Sequence, residues 1–139
     1  KNHIINFKLP GSNGAILLAE MLKTNKSIVH VNVSENDIGP RGAYKLAEAI
    51  KQNTTITRLQ LKGNKFKISN PRLSSEVLNA TKFLFRFVKG ARAIAEALAS
   101  PNHSLTFVDL EDNMLSFEGV TLLQKSVVER NEHNKVNKN

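Results

Sequence analysis

Cysteine and tryptophan are absent from this sequence, and it holds one tyrosine. Without cysteine there is no disulfide framework and no thiolate metal site, and a reducing, intracellular setting is favoured. Long apolar runs are missing as well. No stretch reaches the roughly 18 to 20 residues that a membrane helix needs, and the opening Lys1-Asn2-His3-Ile4-Ile5-Asn6 has no apolar core of a secretion signal. Acidic residues are the scarcer charge, 12 against 20 lysines and arginines, for a formal net charge of +8. Most of that excess lies in one segment, where Lys65, Lys67, Arg72, Lys82, Arg86, Lys89 and Arg92 face only Glu76.

What is present is a repeat. A chain of 139 residues with 40% hydrophobic and 23% charged residues suits one domain. Within it, Ile28-x-x-Val31-x-Val33-x-x-Asn36-x-Ile38-Gly39-x-x-Gly42-x-x-x-Leu46-Ala47 is followed by Ile56-x-x-Leu59-x-Leu61-x-x-Asn64 and by Leu105-x-x-Val108-x-Leu110-x-x-Asn113-x-Leu115. The other halves align too, as Gly14-Ala15-x-x-Leu18-Ala19-Glu20, Gly42-Ala43-x-x-Leu46-Ala47-Glu48 and Gly90-Ala91-x-x-Ile94-Ala95-Glu96, with Gly119 opening a looser fourth. Ile4-x-x-Phe7-x-Leu9 reads as the first strand, with a link to its helix four residues shorter than in the next repeat.

Apolar residues two apart, such as Val31 and Val33, share one side of a strand, and His30 and Asn32 face the other. The period then lengthens: Ala43, Leu46, Ala47 and Ile50 form the stripe of an amphipathic helix that covers the strand. Pro40 is tolerated in the first helical turn and Ser116 is placed to cap the last helix. Asn25, Asn53 and Asn131 are expected to end their helices in left-handed conformation. Asn36, Asn64 and Asn113 are expected to stack, each amide satisfying backbone groups of a buried turn. Five Asn-x-Ser/Thr triplets, at Asn25, Asn32, Asn53, Asn79 and Asn102, read as accidents of an asparagine-rich sequence rather than glycosylation sites.

These motifs resemble the ribonuclease-inhibitor-like leucine-rich repeats over nearly the whole chain, apart from residues 66–89 and the tail after Asn131. The resemblance implies an α/β solenoid of about four strand-helix repeats, with a concave face of parallel strands and a convex face of helices. The family includes ribonuclease inhibitor, the activators of the Ran GTPase, tropomodulins, innate sensors and axonemal subunits. Because the sequence opens on a strand with no obvious polar capping helix, it is expected to be part of a longer solenoid or to be buried against a neighbour.

Two places stand out as candidate contact surfaces. Asn64 and Gly90 are much further apart than Asn36 and Gly42, so residues 66–89 read as an insertion within the third repeat. Leu73, Val77, Ala80, Leu84 and Val88 suit one side of a helix, while Phe83, Phe85 and Phe87 alternate as in a strand; periodicity does not choose between them. The segment is either a docking element, with those phenylalanines in a partner's groove and Lys82, Arg86 and Lys89 on its acidic surface, or a cover for its own solenoid. On the concave face the expected ladders are Asn6, His30, Arg58, Phe107 and Lys8, Asn32, Gln60, Asp109. Phe107 and Arg58 rank first as contacts, with His30 and Gln60 beside them, because a large aromatic on a polar face gains from being covered.

Catalytic chemistry finds no support. Asp109, Glu111 and Asp112 match no calcium loop, and His3, His30, His103 and His133 have neither metal-ligand spacing nor a nucleophile arrangement. Gly11-Ser12-Asn13-Gly14 lacks the Lys-Ser/Thr of a phosphate loop. The expectation is therefore no enzyme, no cofactor and no metal. It is instead a protein-binding scaffold or adaptor in a large intracellular assembly, cytoplasmic or cytoskeletal, with an axonemal setting in the cilium implied by the resemblance. The partner is expected to be a protein with an acidic surface. A regulator of a small GTPase is the alternative, although Asn134-Lys135-Val136-Asn137-Lys138-Asn139 is not the acidic tail of the Ran activators. Nucleic-acid binding through the basic insertion is a further alternative.

Overall fold

A computed structural model describes residues 3–66, 89–100, 104–113, 115 and 117–136. Strands and helices alternate along them: β1 (His3–Asn6), α1 (Gly11–Thr24), β2 (Ile28–Asn32), α2 (Gly39–Gln52), β3 (Arg58–Gln60), α3 (Lys89–Ala99), β4 (Phe107–Asp109) and α4 (Phe117–Val136). The four strands form one parallel sheet in the order β1-β2-β3-β4. Each helix packs on the next one, α1 on α2, α2 on α3 and α3 on α4.

The core lies between sheet and helices and follows from the two periods. Val31 and Val33, then Leu59 and Leu61, point inward and are buried, and they meet Ala43, Leu46, Ala47 and Ile50 of α2. α2 sits close to α1, and α3 to α2, because Gly42 and Gly90 meet Ala15 and Ala43 of the helix before. A Cβ at Gly42 would come within 2.3 Å of Ile38 Cγ2 and 2.9 Å of Ala15 Cβ, so a larger residue would push α2 off the strand layer.

Asn36, Asn64 and Asn113 form the expected ladder. The Asn64 Oδ1 accepts the Asn36 backbone N–H at 3.0 Å, and its Nδ2 donates to the Val33 and Leu61 carbonyls at 2.8 Å each. The Asn64 backbone N–H in turn donates to Asn113 Oδ1 at 2.9 Å. The residue before each asparagine, Glu35, Gly63 or Asp112, has a left-handed φ of 57°, 68° or 55°. Glycine adopts this freely, while Glu35 and Asp112 hold it against a cost of about 1–2 kcal/mol each. The turn is evidently determined by the ladder and not by local preference.

Several expectations need correction. β1 sits two residues away from the expected register: Ile4 stands against His30 and Asn6 against Asn32. Asn36 Nδ2 donates to the Phe7 carbonyl at 3.0 Å as Asn64 does to Val33, so Phe7 and not Leu9 corresponds to Val33. The first link is thus two residues shorter than the next, not four. Leu9 donates its N–H to Asn36 Oδ1, the place asparagines take in later repeats. The ends of the expected insertion also belong to the repeat. Phe66 is 1% exposed and occupies the inward position of Ile38, two residues after the ladder asparagine, where its burial is worth about 2–3 kcal/mol. Lys89 begins α3.

Asn25 and Asn53 do end α1 and α2, but in extended conformation, with φ of −69° and −82°. Their side chains do the work expected of the backbone. Asn53 Oδ1 accepts the N–H groups of Thr55 and Ile56 at 2.8 Å each, and its Nδ2 donates to the carbonyls of Leu22 and Asn25 at 2.8 and 3.0 Å. Asn25 Oδ1 serves Ser27 and Ile28 in the same way. The Asn-x-Ser/Thr triplets at Asn25 and Asn53 are therefore parts of the repeat and not accidents. Asn131 lies inside α4, which runs on to Val136. Ser116 and residues 73–88 lie outside the described residues.

Candidate protein-binding surface

Side chains that alternate with the buried ones line the sheet face turned away from the helices. Register sets two rows across it. One is His30, Arg58 and Phe107, with Ile4 at the matching register position of β1; the other is Asn6, Asn32, Gln60 and Asp109. Lys8 belongs one position further along, with Ser34, Lys62 and Glu111, because Phe7 corresponds to Val33 and Leu61.

Within these rows hydrogen bonds run between strands. His30 Nε2 and Gln60 Oε1 are 2.8 Å apart, and Asn32 Nδ2 donates to Asn6 Oδ1 at 2.9 Å. Asn32 Oδ1 also accepts the Ser34 N–H, and Asp109 Oδ1 accepts the Glu111 N–H, both at 3.0 Å. Asn32 and Asp109 occupy one repeat position and do one job, closing the turn after the strand. Glu111 and Asp112 both reach Lys62, at 2.9 and 3.3 Å. The hydrogen bond to Glu111, followed by that to Asp112, raises the Lys62 ammonium above its ordinary value. The carboxylate group noted in the sequence is thus divided between a turn and a lysine.

Arg58 and Phe107 meet directly. They stand opposite one another on β3 and β4, with the guanidinium carbon 3.9 Å from the ring centroid. Phe107 remains 39% exposed. A cation stacked on an exposed ring contributes about 0.5–1 kcal/mol, so the pair is partly satisfied without being buried. The structure brings Arg58, Phe107, His30 and Gln60 together on one surface. Phe83, Phe85, Phe87, Lys82 and Arg86 lie outside the described residues, as does the side chain of Lys89.

A feature not foreseen from the sequence is a cleft of about 730 Å³ between β4 and α4, lined by Val108, Leu110, Leu123, Val127 and Val128 among others. Arg130 crosses it and donates to the Leu105 carbonyl, and burial pushes its guanidinium below the ordinary value. The signal was available in part: Val127 and Val128 are adjacent apolar residues on a helix, and both cannot face the same core.

A family model described as Leucine Rich repeat matches residues 24–47, the stretch from the end of α1 through β2 into α2. No curated protein matches the chain. The match, with the alternating elements and the parallel four-stranded sheet, fits a leucine-rich-repeat solenoid. Leucine-rich repeats commonly mediate contacts between proteins.

Proposed function

We propose that the chain is a non-catalytic protein-binding module, a scaffold or adaptor, whose open sheet face takes the partner. The observation that carries this reading is the Arg58–Phe107 pair. An exposed ring on a polar surface gains from being covered, and arginine and aromatic side chains are among those that dominate binding energies at interfaces. Their place on a sheet suits the role, because a rigid strand holds a contact residue more firmly than a loop does. The setting we favour is a large intracellular assembly of cytoskeletal or axonemal kind, since a chain of net charge +8 complements acidic protein surfaces.

Photo-crosslinking distinguishes the faces. Benzoylphenylalanine is placed at Asn6 on the sheet face or at Thr121 on the exposed side of α4, and the chain is irradiated in cell extract. A defined protein adduct from Asn6 and none from Thr121 is the expected result. Adducts from Thr121 alone would move the binding surface to the helices and overturn the reading.

A further inference from the structure

Arg58 is the only arginine on the described part of the sheet face, and its surroundings leave its hydrogen-bonding capacity unused. Among the described residues the guanidinium has no hydrogen bond and no ion pair; its contact is the ring of Phe107. This is not for lack of a carboxylate nearby. Asp109 stands opposite Gln60, one face position further along the neighbouring strand, but its Oδ1 closes the turn at Glu111. Glu111 and Asp112 are held by Lys62. The fold thus keeps its own acids occupied elsewhere while Arg58 lies against a phenyl ring.

A guanidinium donates only in its own plane, so a ring over one face leaves all five N–H groups at the edge available. Stacking also restricts a long side chain before any partner arrives, which lowers the ordering cost of binding. Beside it, Gln60 turns its Oε1 to His30 Nε2, which leaves the amide nitrogen as a further donor on the same face. Donors therefore converge at this place, and a fork of donors matches two oxygens on one centre.

We infer that Arg58 is a carboxylate reader. It takes an Asp or Glu side chain of the protein partner in a two-point hydrogen bond, with Phe107 holding the guanidinium and Gln60 donating alongside. The inference rests on the protein-binding reading above and narrows it to a partner segment whose acidic side chain enters the sheet face.

The test is selection of peptides from a random phage-displayed library on the 139-residue chain, followed by affinity measurement by fluorescence anisotropy. The best peptide is synthesised with Glu, Gln or phosphoserine at its chief acidic position. Selected peptides should be rich in Asp and Glu. The Glu form should lose about tenfold or more in affinity on change to Gln, and a similar factor on Arg58→Lys, which keeps the charge but not the fork. Arg41→Ala removes the same charge from exposed α2 surface and should cost less than about twofold. Circular dichroism confirms that each variant is folded.

Equal binding by Arg58→Lys, or by the Gln peptide, overturns the inference. Much tighter, Arg58-dependent binding of the phosphoserine form would make the site a phosphate reader and overturn it also. Peptides without acids that block crosslinking from Asn6 would leave the protein-binding face standing and remove the carboxylate assignment. No peptide bound together with no adduct from Asn6 would remove both.

Discussion

β2 and β4 carry the same pattern and differ in what lies beside them. Val31 and Val108 hold one repeat position, yet Val31 is fully buried while Val108 is only half-buried. The same holds for Val33 and Leu61 against Leu110. β2 has a strand on each side, and β4 has one on a single side among the described residues. In a solenoid, burial is therefore a property of the neighbour more than of the position. Val108 and Leu110 line the apolar cleft for this reason, and Phe107 reaches solvent at the same edge.

The asparagine ladder should reveal the contrast most strongly. Asn64 is linked on both sides: its side chain bonds the Asn36 N–H and Val33 carbonyl of one repeat, and its own backbone N–H donates to Asn113 Oδ1 of the other. Asn64→Ala leaves the buried Asn36 N–H and Val33 carbonyl without these partners, an expected loss of about 3–5 kcal/mol, enough to threaten folding. Asn113→Ala removes the equivalent bonds, but the Leu110 and Glu111 carbonyls it releases lie at the part-buried edge, where water can replace the amide, and the change should cost about 1–3 kcal/mol. Urea unfolding of both variants measures the difference. Equal losses would show that the turn at the sheet edge is as closed to water as the turn in its middle.

A smaller contrast comes from trimming the same two methyl groups at the two strands. Val31→Ala should cost about 2–3 kcal/mol and Val108→Ala less than about 1 kcal/mol, because the second side chain is already partly hydrated. If the two costs match in urea unfolding, the edge is as well covered as the middle, and the cleft beside Val108 is closed in solution.

How far the sequence reveals this follows from what periodicity can and cannot distinguish. Alternation tells which side chains face inward, so the buried set at Val31, Leu59 and their neighbours was legible, as was the stack of Asn36, Asn64 and Asn113. Register of β1 was not, since a two-residue slip leaves every side chain on its original face; only the bond from Asn36 to Phe7 decides it. Phe66 was hidden for a related reason: the recurring motif stops short of it, yet it fills the Ile38 position. The Asn-x-Ser/Thr triplets were visible, but their meaning lay in recurring with the repeat and not in the triplet itself. Arg58 and Phe107 were legible as candidate contacts on adjacent strands; that one would stack on the other depends on side-chain geometry that no spacing encodes.

The smallest effect concerns charges linking the helices, where α2 and α3 meet across Lys51 and Glu96 at 3.5 Å. A hydrogen bond from Arg92, one turn earlier at 3.0 Å, holds the Glu96 carboxyl below its ordinary value, with the charge of Lys51 adding to it against the opposing effect of burial. A carboxyl depressed in the folded state stabilises it above the unfolded value, near about pH 4.3, and loses that contribution as pH falls through the folded value. Because the groups are half exposed, solvent screening limits the gain to about 0.3–0.5 kcal/mol. Glu96→Gln should therefore melt slightly below the parent at about pH 7 and coincide with it at about pH 3. A gap that persists at the lower pH would mean that Glu96 acts through packing of its side chain, and that the helix layer, unlike the sheet edge, is indifferent to its surface charges.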